Sequence, residues 1–199
     1  KIWQAVTPKE QPNVTIEVLS LADAKEQIRK QILQEHGIIE RDAWGATGPW
    51  QQRTEDWAFD SIVVHHSGNW GEKDPREIET KHKQKNFQDV GYHYMIHPSG
   101  TFYEGRPILY KGEHVAGANT KKIGILMMGD YDEQWWDPDD ALTESHLKNL
   151  RALVRTLKRF FPLTTLGGHK EYLAGYTCPG NLLMAKMEGL RKTFQLAAP

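Results

Sequence analysis

Two runs, Ser61–His66 (SIVVHH) and 122–128 (KIGILMM), are continuously apolar until their polar ends, yet far too short to span a membrane. Rich in β-branched and aliphatic residues, they are predicted to be strands buried on both faces. A sheet built from such strands needs helices above and below it. The helices are there in the pattern. Over 143–161, Leu147, Leu150, Leu153, Val154, Leu157 and Phe161 recur on one face, and Pro162 stops the run. Asp74-Pro75-Arg76-Glu77 has the N-cap, first-turn proline and acidic residue of a helix start, and that helix extends to about Gln84. Ser20, with Asp23 three residues on, opens another; Ala24, Ile28 and Ile32 give it an apolar face and Gly37 a C-cap. A last helix is expected over Asn181–Phe194.

Strands at 92–97 and 101–104 flank the turn Pro98-Ser99-Gly100 as a hairpin, and 163–166 supplies a fifth strand. The count is about five strands and four helices. That makes an α/β fold: one domain on a central mixed sheet flanked by helices. Residues 1–19, with Pro8, Pro12 and a β-leaning run at 14–19, read as a linker or peripheral arm ahead of the first helix. Residues 38–60 are irregular and aromatic, with Trp44, Trp50 and Trp57.

A chain of 199 residues that is 39% hydrophobic suits one domain plus an appendage, and excludes a disordered, fibrous or membrane-embedded protein. Its 25 basic and 26 acidic residues nearly cancel, so no footprint for nucleic acid is present. A single cysteine forms no intrachain disulfide, so Cys178 needs another reason to be there.

Nine histidines are the unusual resource. His65 and His66 end a buried strand and His169 follows another, and open α/β sheets put their sites at such ends. Cys178 precedes a helix. Two imidazoles and a thiolate make a three-ligand zinc set, which leaves a fourth position for a water that attacks a carbonyl carbon. The spacing alone is unspecific: strand-end histidines are commonly satisfied polar groups, and lone cysteines small buried hydrophobes. Strand alternation allows only one of His65 and His66 to be a ligand. A cysteine hydrolase is the other catalytic reading, with Cys178 activated at a helix N-terminus and His169 as its base.

Six segments in order carry a resemblance: 39–49 (IERDAWGATGP), Ser61–His66 with Ser67, 89–105 (DVGYHYMIHPSGTFYEG), 112–118 (GEHVAGA), 122–131 (KIGILMMGDY) and 167–180 (GGHKEYLAGYTCPG). Together they resemble the zinc amidases shared by peptidoglycan recognition proteins and phage amidase lysozymes, over about 38–194, which implies an amidase domain over 38–199 and an N-terminal arm or linker with one helix over 1–37. The resemblance implies one Zn2+ per chain on His65, His169 and Cys178, with Tyr92 as the catalytic tyrosine. It implies hydrolysis of the amide between N-acetylmuramic acid and L-alanine in peptidoglycan or a muropeptide, by a monomer acting in the periplasm or after secretion. His114, Trp44 and Asn119 fall on its substrate side, although Trp44 also reads as an anchor of the irregular segment.

The chain departs from the family in three ways. The step from His169 to Cys178 is nine residues where relatives have eight. Tyr176 stands where they carry Lys or Thr, which leaves adjacent Thr177 as the second catalytic candidate. Leu126 stands where a related branch has a glutamate. Some family members are non-catalytic receptors, and these commonly lack the cysteine. His66 and His93 are expected to pack structurally, and the Lys and Arg residues of 143–161 to face solvent. Trp135 and Trp136 are expected either to wall a binding surface or to close over a helix.

Overall fold

The computed structural model describes residues 19–72, 74–132 and 140–199. Five strands form one sheet in the order β3-β2-β4-β1-β5: β1 (Ser61–His66), β2 (Tyr94–Ile96), β3 (Phe102–Glu104), β4 (Lys122–Met127) and β5 (Thr165–Gly168). β1 is parallel to both β4 and β5, β2 is parallel to β4, and only β2 and β3 are antiparallel. Every residue of β1 is buried, as its unbroken apolar run requires.

The capping signals in the sequence act as expected. α1 (Leu21–His36) begins at Ser20, whose side chain accepts from the Asp23 N–H, and ends at Gly37 in the left-handed region. α3 (Pro75–Gln84) is capped by Asp74, and α4 (Glu144–Phe160) by Thr143. α6 (Asn181–Phe194) closes the chain. Leu147, Leu150, Leu153, Val154 and Leu157 of α4 and Leu183, Met187 and Leu190 of α6 bury against Ile62, Val64, Ile123 and Ile125 of the sheet. α1 joins the same core through Ile32 and Leu33, and Arg29 forks onto buried Glu104 with two 2.6 Å bonds.

Several boundaries differ from the sequence pattern. α2 (Arg41–Trp44) and α5 (His169–Tyr172) bring the described helices to six rather than four, because a single turn is too short to show a 3.6-residue period. β2 starts at Tyr94: the carbonyls of Tyr92 and His93 accept from Arg106 and Gly105 outside the regular ladder. β5 lies two residues later than the apolar run and takes in Gly167 and Gly168. A Cβ on Gly168 would meet the Met184 sulfur at 2.4 Å and Pro179 Cδ at 2.5 Å, so the strand passes where only glycine fits. The 14–18 run, Trp135 and Trp136 lie outside the described residues. No described helix is long and apolar enough to cross a membrane.

Candidate functional site

The parallel strands β4, β1 and β5 all finish at the same edge of the sheet, and this edge gathers the histidines. His65 and His66 close β1, His169 is the first residue after β5, and Cys178 lies just ahead of α6. Ligand atoms of His65, His169 and Cys178 lie within 4.8 Å of one another. The Cys178 sulfur is 3.6 Å from His65 Nδ1 and 3.8 Å from the His66 carbonyl, and the Lys170 N–H fixes the Cys178 backbone carbonyl at 2.9 Å.

These groups fit a metal ion. His169 Nε2 is buried without a hydrogen-bond partner, a cost that a coordinating cation would remove. Two imidazoles and one sulfur are the donor set that suits borderline-soft zinc. Burial holds His65 well below the ordinary histidine range, with neighbouring His114 and His169 adding to the effect; burial also lowers His169. Both are therefore neutral with a free lone pair. Burial pushes the Cys178 thiol up to about 12, so without a cation it stays protonated.

Beside these residues lies a cavity of about 510 Å³, lined by His82, Phe87, Tyr92, His114, Asn119 and Tyr176 among others. Clefts of 710 and 590 Å³ elsewhere hold neither histidine nor cysteine. Tyr92 is partly buried, with its ring 5.0 Å from that of His65. Burial first, then Cys178 and Glu72, raise its hydroxyl above the usual tyrosine range, so it stays a hydrogen-bond donor.

The other candidates divide. His114 lies in the cavity wall and pairs through Nδ1 with His65 Nε2 at 3.0 Å. Asn119 also lines the cavity, with Oδ1 accepting from the N–H groups of His114 and Val115, each at 2.7 Å. Trp44 is buried, donates its indole N–H to the Glu104 carbonyl at 2.8 Å, and is not among the lining residues. Thr177 is exposed and also outside the lining, whereas Tyr176 stacks on His169 with ring centres 4.6 Å apart. His66 Nδ1 accepts from the Tyr131 N–H at 3.2 Å, and His93 bridges Tyr110 and Gly124; both are satisfied structural histidines.

His82 is the residue that sequence reasoning missed. Its Nδ1 accepts from the Gly91 N–H at 3.0 Å and its ring stands 5.2 Å from that of Tyr92. The signal was its position four residues after Ile78, which puts both on the buried face of α3.

The family model described as N-acetylmuramoyl-L-alanine amidase matches residues 55–181. The endolysin of Escherichia phage T7 is 34% identical over 122 residues, 60% of this chain and 80% of the endolysin. The peptidoglycan-recognition protein LB of Drosophila melanogaster is 26% identical over 159 residues, 75% of this chain and 67% of that protein. Among solved structures, the N-acetylmuramoyl-L-alanine amidase LysC from Clostridium intestinale superposes with a TM-score of 0.68 at 28% identity, covering 80% of this chain and 98% of that one.

Proposed function

The chain belongs to the N-acetylmuramoyl-L-alanine amidase family, and on that premise we propose that it is a zinc-dependent peptidoglycan amidase. It cuts the amide between the lactyl group of N-acetylmuramic acid and L-alanine. The observation that carries the zinc requirement is the convergence of His65, His169 and Cys178 within 4.8 Å beside an open cavity. When bound there, zinc supplies Lewis-acid polarisation of the scissile carbonyl and lowers the pKa of the attacking water.

The protein's own groups do the rest. Tyr92, kept protonated by burial, donates a hydrogen bond to the oxygen on which charge develops, and the leaving amine takes its proton from Tyr92 or from the attacking water. Tyr176 lines the cavity and Thr177 does not, which favours Tyr176 as the second polar group. His114 and Asn119 border the space where substrate would lie, while Trp44 serves the domain's framework. Residues 38–199 form the catalytic domain, with α1 fastened to it through Arg29, Ile32 and Leu33. The substrate lies outside the cytoplasmic membrane, so the enzyme acts in the periplasm or beyond it.

Cys178 argues against both alternatives. A receptor has no need of a third ligand in coordinating reach of His65, and a nucleophile needs a lowered thiol pKa, the reverse of what burial does here. The test is release of stem peptide from purified peptidoglycan before and after chelation. Activity should vanish with the metal and return with one equivalent of zinc. Cleavage that ignores the chelator would move the reaction to the cysteine, and bound zinc without cleavage would leave a receptor.

The pH dependence of zinc uptake follows from the same groups. His65 and His169 are already neutral near pH 7, so they release no protons on binding. Cys178, protonated at rest, releases one. Zinc affinity should therefore rise about tenfold per pH unit between pH 7 and 8. Dissociation constants at three pH values check this. A slope near two would mean a charged histidine at rest, and a flat profile a preformed thiolate.

A further inference from the structure

The carbonyl of Lys122, His114 and His65 form a chain of hydrogen bonds whose direction can be read. A carbonyl only accepts, so His114 Nε2, 3.3 Å from the Lys122 oxygen, carries the hydrogen. Neither ring is hydrogen-bonded to a carboxylate that would hold an imidazolium, so each buried imidazole is neutral with one hydrogen, and His114 Nδ1 is bare. It therefore accepts, and His65 Nε2, 3.0 Å away, donates to it. This leaves His65 Nδ1 as the lone pair, and Nδ1 is the atom 3.6 Å from the Cys178 sulfur.

The His114 ring is held in a slot that two glycines make. A Cβ on Gly112 would stand 2.5 Å from His114 Cδ2, and one on Gly124 only 2.6 Å from the same atom. Real contacts of that kind do not occur, so the glycines of Gly112-Glu113-His114 and of the β4 strand are both spent on this ring. Asn119 fixes the backbone beneath it by accepting from the His114 and Val115 N–H groups. Nothing in this arrangement requires His114 to touch substrate.

We propose that His114, clamped between Gly112 and Gly124, is a positioning residue that sets the tautomer and ring orientation of His65 so that Nδ1 faces the metal. The inference rests on the zinc reading above. Outer partners of this type typically change metal affinity by roughly 10–100-fold when removed.

Asn and Leu have the same number and branching of side-chain heavy atoms, but only Asn presents an oxygen where His114 Nδ1 stands. His114→Leu is expected to weaken zinc binding by about 10–100-fold, measured by competition with a chromophoric chelator. His114→Asn should bind zinc nearly as the wild type does. Equal weakening in both variants, or wild-type affinity in the Leu variant, would overturn the proposal. Long-range 15N NMR of the wild-type protein tests it without any substitution. His65 should carry its hydrogen on Nε2, with or without zinc, and a hydrogen on Nδ1 would overturn it. The two readings fail separately: absence of zinc uptake by the wild type sinks the zinc reading, and zinc uptake indifferent to the acceptor at position 114 sinks this one.

Discussion

Cys178→Ala is expected to weaken zinc binding by more than about 100-fold and to reduce stem-peptide release to background, because a lost ligand exceeds the 10–100-fold cost of losing an outer partner. The substitution removes a sulfur whose hydrogen-bonding partners among the described residues are His65 Nδ1 and the His66 carbonyl. The backbone carbonyl of residue 178 still receives the Lys170 N–H, and the side chain is only partly buried. Stability should consequently fall by no more than about 1 kcal/mol, the ordinary size of a single substitution. The same loss of activity would follow if Cys178 were a nucleophile, so the variant is paired with His65→Ala. A nucleophilic cysteine served by His169 tolerates loss of His65 far better than a three-ligand metal site does. Hydrolysis retained by either variant in metal-free buffer would end the zinc reading.

The sequence reveals the parts of this site more readily than their meeting. Ser61–His66 and Asn181–Phe194 are bounded by their own residue patterns: an apolar β-branched run ends in two histidines, and a helical period begins after a glycine. Ser20 and Asp74 mark helix starts because each side chain caps its own first turn, a local interaction that no distant partner alters, and Thr143 caps α4 in the same way. His65 and Cys178, 113 positions apart, meet only because β5 lies beside β1. Strand order is a property of the whole sheet, so the proposed ligand set follows from the resemblance and not from spacing. What escaped depended on close approach. Gly124 in an apolar strand reads as a weak point, yet it is the space that the His114 ring fills. Gly168 likewise reads as the end of a strand, where the structure has the strand passing under Pro179 and Met184. His82 was hidden differently: on a short, mostly charged helix only its four-residue spacing from Ile78 marks the buried face.

Asp89→Ala should be the most destabilising single change near the site, at about 3–5 kcal/mol, because it strands buried positive charge. Asp89 is fully buried, and both its oxygens are in use. Oδ1 accepts from Arg41 Nη2 at 2.7 Å and from the Val90 N–H at 2.8 Å, while Oδ2 accepts from Arg53 Nη1 at 3.0 Å. Its carbonyl receives buried Arg106 at 3.2 Å. Arg41 and Arg53 are themselves largely shielded from solvent, so losing the carboxylate leaves two guanidinium groups facing each other with little water to screen them. Asp89→Asn keeps the shape and one acceptor but not the charge, and it should fall between wild type and Ala. Urea unfolding gives both values, and an Ala variant within about 1 kcal/mol of wild type would show that the charges are better solvated than their burial implies. Asp89 stands three residues before Tyr92, so it also bears on chemistry. If Asp89 serves to hold the segment that presents Tyr92, Asp89→Asn should lower the turnover rate while zinc affinity, set by the three proposed ligands on other segments, stays at the wild-type value. Equal losses in both would mean that the buried charge cluster supports the whole strand edge and not the tyrosine alone.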